Sequence, residues 1–145
     1  MKTKAVVTGI MAMVLLAAGA CSMAQGAPKE ANTQVPIDEF MANKNVDREI
    51  RVPEGSVITV TLGSNPTTGF SWGETAKIAN PAMLEQTSSQ LIAPEGMGIV
   101  GAPGNQVWTF KALQKGTTTV GMEYSQPWAG GQKAAWTFQL TLAVE

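Results

Sequence analysis

The chain has 145 residues, 14% of them charged, a formal net charge of −1 and no histidine. Without histidine, Ser-His-Asp and Cys-His catalysis and histidine-ligated metal sites are excluded. No basic run is present, which argues against a nucleic-acid partner, because such binding needs a concentrated positive face.

Lys2 and Lys4 open the chain, and an apolar run from Ala5 to Ala18 follows, broken by Thr8 and Gly9. A basic start, a short apolar stretch and a small-residue exit describe an export signal over residues 1–20. About fourteen residues fall short of the roughly 20 that a membrane-spanning helix needs. "Ala18-Gly19-Ala20-Cys21" resembles a bacterial lipoprotein processing site, in which the cysteine takes lipid and becomes residue one. That pattern prefers Leu or Val where this chain has Ala18. Ordinary cleavage after Ala20 or Ala24 is the alternative. On either reading the domain is exported: periplasmic, membrane-anchored through lipid on Cys21, or secreted. Cys21 is the only cysteine, so no disulfide forms within the domain. Loss of Lys2 and Lys4 leaves eight basic against eleven acidic side chains, a charge of −3.

Residues 22–44 are polar, carry two prolines and keep no sustained period, so a flexible tether is expected there. Within it "IDEFMA" has the option of a helical turn or an edge segment. From residue 45 to 145 the period becomes two, the mark of half-buried strands. In "VITVTL" Ile58, Val60 and Leu62 share a face; in "VWTFKAL" Trp108, Phe110 and Ala112 do. Val120, Met122 and Tyr124 share one in "TTVGMEY". Trp136, Phe138, Leu140, Leu142 and Val144 form the longest apolar face. With "DREIRV", "FSWGETAK" and "MLEQTSSQLIA" this makes about seven strands, each apolar on one side. Two such antiparallel sheets packed face to face predict an all-β, Ig-like β-sandwich.

Three connections are short: Pro53–Gly55, Asn80-Pro81 and Gln114–Gly116. Three are elaborate: Gly63–Gly69, Ala93–Asn105 and Ser125–Gln132. The chain reverses at each connection, so the three long loops are expected at one end and the three tight turns at the other. Loops are usually kept short, and long ones gathered at one end predict a binding surface.

In the first loop Pro66 fixes its own φ and biases Asn65 towards extended backbone, while Asn65 can bond back to the turn. Thr67 and Thr68 are stiff at χ1, and Gly69 lets something approach the backbone closely. Such a loop loses little entropy on entering a cleft. The second loop is rich in glycine and proline, but no helical pattern follows to make a phosphate site. The third exposes Trp128 behind Pro127, off the strand period and suited to anchoring an interface.

Asn65-Pro66-Thr67-Thr68-Gly69-Phe70 resembles the NPTTG[YF] signature of the chagasin family of cysteine-peptidase inhibitors, over about residues 45–145. The resemblance implies an Ig-like sandwich that inhibits papain-type peptidases with three loops from one end. The family's G-x-G-G segment before W-x-F corresponds to Gly101-Ala102-Pro103-Gly104 before Trp108-Thr109-Phe110, with Pro103 where glycine is usual. The family's Arg-Pro-Trp corresponds to Gln126-Pro127-Trp128, without the arginine. The resemblance implies that Asn65–Phe70 enters the cleft and covers the peptidase's catalytic cysteine, with Thr67 and Thr68 at its centre. The Gly101–Gly104 segment would lean on one side and Gln126–Trp128 on the other.

The expected activity is therefore reversible, competitive inhibition of a papain-like cysteine peptidase by a monomer that has no catalytic residue, metal or cofactor. The alternative is a periplasmic Ig-like ligand-binding or adhesion module, for example for carbohydrate through Trp128. A hydrolase using the scattered carboxylates, among them Glu49, Glu85 and Glu123, ranks behind both.

Overall fold

The alternation read from the sequence is carried directly into burial. In β3 (Val57–Ser64) Ile58, Val60 and Leu62 are fully buried, and in β7 (Gly104–Ala112) so are Trp108 and Phe110. The computed structural model describes residues 29–93 and 103–145. Among them are nine strands: β1 (Glu30–Val35), β2 (Asn45–Val52), β3, β4 (Ser71–Trp72), β5 (Lys77–Ile78), β6 (Leu84–Ile92), β7, β8 (Gly116–Ser125) and β9 (Trp136–Val144). One sheet has the order β1-β3-β7-β6; the other has β2-β9-β8-β4, with β5 also on β8. Their apolar faces enclose a single cluster of buried side chains, as an Ig-like sandwich requires.

Two expectations are corrected. The sheets are mixed, because β1 runs parallel to β3 and β2 parallel to β9. Residues 30–42, expected within a flexible tether, are instead strand and helix from Glu30 onward. β1 supplies Val35 to the core, and helix α1 (Ile37–Ala42) supplies Phe40, both with no exposed surface. Burying a ring of that size stabilises the fold by roughly 1.5–3 kcal/mol, enough to hold a six-residue helix that could not persist alone. The strand expected over "FSWGETAK" is divided into β4 and β5. Between them Gln86 of β6 accepts from the Ala76 N–H and donates to the Glu74 carbonyl, both at 2.8 Å.

The register places the connections. Ser64 pairs with Gly104, Ser71 with Ser125, Tyr124 with Trp136, and Ile92 with Asn105. The three long connections thus leave from one end of the sandwich, and the tight turns lie at the other. A fourth connection joins them: Val35 pairs with Leu62 and Asn45 with Thr137, so α1 crosses between the sheets at the loop end. There the Ile37 backbone packs so closely on Gly63 that a Cβ at position 63 would lie 2.4 Å from the Ile37 nitrogen. Only glycine fits.

Candidate functional site

The first loop is a short 3-10 turn over Pro66–Thr68, led by Asn65 in a non-helical conformation and closed by Gly69 at φ +81°. Pro66 starts the turn because its φ is already suitable, and Gly69 ends it because a left-handed residue is needed. The Thr68 hydroxyl donates to the Asn65 carbonyl at 2.7 Å, and the Thr67 hydroxyl to Asn65 Oδ1 at 2.5 Å. Pro66, Thr67 and Thr68 are themselves exposed. The loop is therefore shaped from within and presents its tip to solvent.

It is also held from below. The Asn65 N–H donates to Tyr124 Oη at 2.9 Å, and the Tyr124 hydroxyl donates to the Asn65 carbonyl at 3.1 Å. One phenol thus satisfies both backbone groups at the base of the turn. The Trp72 indole donates to the Gly63 carbonyl at 2.9 Å, just upstream. Tyr124 lies in a stack of rings, 5.6 Å from Phe70 and 4.6 Å from Trp136, and Trp136 lies 5.6 Å from Phe40. Planar rings with few rotatable bonds make a stiff floor. Phe70 therefore faces the stack, half-buried, while its neighbours at 66–68 face outwards.

Third-loop residues reach the first. An ideal Cβ on Gly69 would lie 2.8 Å from Trp128 Cη2, so the indole covers the backbone that glycine leaves bare. Trp128 stays 51% exposed, as its place off the strand period predicts. Around it the loop is tied to itself: the Gln126 N–H donates to the Gln132 carbonyl and the Gln132 N–H to Gln126 Oε1, each at 2.8 Å. The Gln126 amide, standing where the resembled pattern has arginine, is thus turned inward to staple the loop. Pro127 is exposed beside it. The Lys133 ammonium donates to the carbonyls of Gln126 and Trp128.

The second loop is described only at its ends. Gly101 and Ala102 lie outside the described residues, as does Cys21. Pro103 is exposed, but Gly104 is buried and paired with Ser64 in the ladder. Gly104 is thus the first residue of β7, at the point where the second loop joins the sheet. Between the first and third loops an apolar cleft of about 230 Å³ is lined by Thr68, Phe70, Tyr124, Ala135 and Trp136. Among the described residues no group of three or more cysteine, aspartate or glutamate side chains is placed to hold a metal ion. What this end offers is a shaped, pre-organised surface whose exposed first-loop residues Pro66, Thr67 and Thr68 carry no charge.

The sequence reading does not assign Tyr124 or α1 to the support of these loops. Tyr124 is the chain's single tyrosine, placed on an inward-facing strand position. A buried phenol must find a hydrogen-bond partner, and that demand was the available signal. Nothing comparable marked α1.

Residues 51–142 match the family described as Chagasin family peptidase inhibitor I42. The chain is 30% identical to Amoebiasin-2 of Entamoeba histolytica over 96 residues, 65% of this chain and 75% of that one. It is 32% identical to Chagasin of Trypanosoma cruzi over 84 residues, 56% of this chain and 74% of that one. Among solved structures, a cysteine protease inhibitor from Entamoeba histolytica superposes with a TM-score of 0.63. That comparison covers 82% of this chain and all of the other at 22% identity, a likeness of fold. The matched span contains the whole braced turn at Asn65–Phe70 and the third loop, and the chain belongs to the chagasin family of peptidase inhibitors.

Proposed function

We propose that the protein is a reversible, competitive inhibitor of papain-like cysteine peptidases, acting by occlusion of the active-site cleft. The observation that carries this reading is the exposed Pro66–Thr68 turn, braced by Tyr124 from below and Trp128 from the side. A turn whose geometry is already set loses little on entering a narrow cleft, so its contacts appear as affinity. Thr67 and Thr68 fill the centre of the cleft over the catalytic cysteine. The Gly101–Gly104 segment leans on one wall, and Gln126, Pro127 and Trp128 on the other. A proline-led turn closed by its own hydrogen bonds offers no peptide bond in extended, reactive register, so the inhibitor is not consumed. Membership of a peptidase-inhibitor family, and the likeness of fold to a cysteine protease inhibitor from Entamoeba histolytica, support the choice of target class.

The test is titration of the protein against active papain with a small fluorogenic substrate. Tight, reversible, near-stoichiometric inhibition is expected. Thr68→Arg should weaken it by about a hundredfold or more, the scale of a buried hot spot, with little change in melting temperature. Unchanged inhibition by that variant would sink the wedge mechanism.

The setting proposed for this activity is outside the cytoplasm, with the folded domain on a leader that ends near Glu30 and a lipid on Cys21. The basic-apolar-small order of residues 1–20 and the position of Cys21 support it. Labelled palmitate should enter the wild-type chain in bacteria and be absent from Cys21→Ser. Equal labelling of both would remove the anchor.

A further inference from the structure

We propose that Lys133 is a positioning residue: its ammonium clamps the third loop and so holds the Trp128 ring over Gly69 of the first. The inference rests on the inhibitor reading above, and its chemistry lies within this chain.

The third loop leaves β8 at Ser125 and enters β9 at Trp136. Its neck is closed by the Ala135 N–H on the Tyr124 carbonyl at 2.9 Å and the Ala134 N–H on Ser125 Oγ at 2.8 Å. Its tip turns through the Gly131 N–H on the Trp128 carbonyl at 3.1 Å. Between neck and tip the carbonyls of Gln126 and Trp128 converge, and Lys133 Nζ donates to both, the second at 3.1 Å. An ammonium has three donors and no acceptor, so two carbonyls brought together form a fitting socket for it.

Two details show that the backbone is committed to this arrangement. Ala134, the next residue, holds φ +49°, a left-handed conformation that non-glycine residues adopt at a cost. Gly131 packs so tightly that a Cβ there would lie 2.6 Å from Gln126 Cβ and 3.1 Å from Trp128 Nε1. Trp128 is half exposed, so burial alone does not fix its ring. The clamp on its own carbonyl does, together with the glycine surfaces at 69 and 131. Among the described residues Lys133 makes no ion pair, which leaves its charge to the carbonyls.

The test uses Lys133→Met, which keeps the aliphatic stem, Lys133→Arg, Trp128→Ala, and the double variant K133M/W128A. Lys133→Met should raise the inhibition constant against papain about tenfold, the scale of one charge-assisted hydrogen bond, with the melting temperature unchanged. Lys133→Arg should restore most of the loss. K133M/W128A should inhibit no worse than Trp128→Ala, because a residue acting through Trp128 has nothing left to position. In the free protein, the Gly69 α-proton that takes the Cβ direction faces the Trp128 ring, and Lys133→Met should move that resonance towards its place in Trp128→Ala. A Gly69 resonance unmoved by Lys133→Met would overturn the proposal, as would full multiplication of the two losses in K133M/W128A. Failure of the wild-type protein to inhibit papain would instead sink the inhibitor reading, and the Gly69 resonance would still decide the role of Lys133.

Discussion

The two ends of the sandwich are built from different materials. Each of the six ring pairs in contact joins two of Phe40, Phe70, Trp72, Trp108, Tyr124 and Trp136, and these lie towards the loop end. The turn end is packed mainly with aliphatic side chains such as Val52, Ile58, Leu84, Leu142 and Val144, with the Phe110 ring set among them opposite Ile58. Aliphatic packing suffices where the chain only has to reverse, through Gly55 at φ +83° or the Asn80-Pro81 turn. Rings are placed where a loop must be held in one shape against solvent. Their polar tips also reach the backbone: Tyr124 to Asn65, Trp72 to Gly63 and Trp108 to Gly73. The difference teaches that the foundation of the proposed inhibitory surface belongs to the loops it supports.

Removing a ring from the loop end is the most severe way to break this comparison. Phe40→Ala should destabilise the fold by about 3–5 kcal/mol, read from urea unfolding, because the cavity lies between Trp72 and Trp136. A loss below about 1 kcal/mol would mean that α1 is a dispensable cover, since even a partly collapsed core site costs more.

Tyr124→Phe sharpens the comparison by keeping the ring and deleting the hydroxyl. The Asn65 N–H and carbonyl then lose the same partner, at a cost of about 1–3 kcal/mol in stability. Inhibition should fall about tenfold beyond what unfolding explains, as the base of the wedge loosens. An unchanged inhibition constant in a less stable protein would separate foundation from function.

The mildest test compares two glycines of nearly equal φ at opposite ends. Gly55→Ala and Gly69→Ala should each cost about 1 kcal/mol in stability, since both positions require left-handed backbone. No atom lies within 4 Å of a Cβ at Gly55, whereas one at Gly69 would meet Trp128 at 2.8 Å. Only Gly69→Ala should weaken inhibition, by a few-fold, through displacement of the indole. Equal inhibition by the two variants would show that the contact between the loops is not used.

Much of this molecule was legible in the chain because the signals were local. Alternation along β3, β7, β8 and β9 named the inward residues one by one, and Ile58, Val60, Leu62, Trp108, Phe110 and Leu140 are all fully buried. Asn65–Gly69 also carried its own instructions. Proline sets one φ, the asparagine and threonine side chains bond within three residues, and glycine closes the turn. The division of connections into a loop end and a turn end followed from counting chain reversals.

What the sequence determined by itself, then, was the set of inward faces, the sandwich they demand, and the shape of the wedge, because each depends on neighbours a few residues apart. The tertiary structure decided the rest. β1 reads as polar chain, since Glu30, Asn32 and Gln34 alternate with only Ala31, Thr33 and Val35; it is a strand because β3 offers an open edge beside it. Phe40 looks like a stray ring in a leader until Trp72 and Trp136 arrive from the far side of the sequence. Tyr124 becomes the brace of Asn65, and Trp128 the cover of Gly69, only when two loops 59 residues apart are brought to one end. Such partners are chosen by topology, and no short-range preference records them.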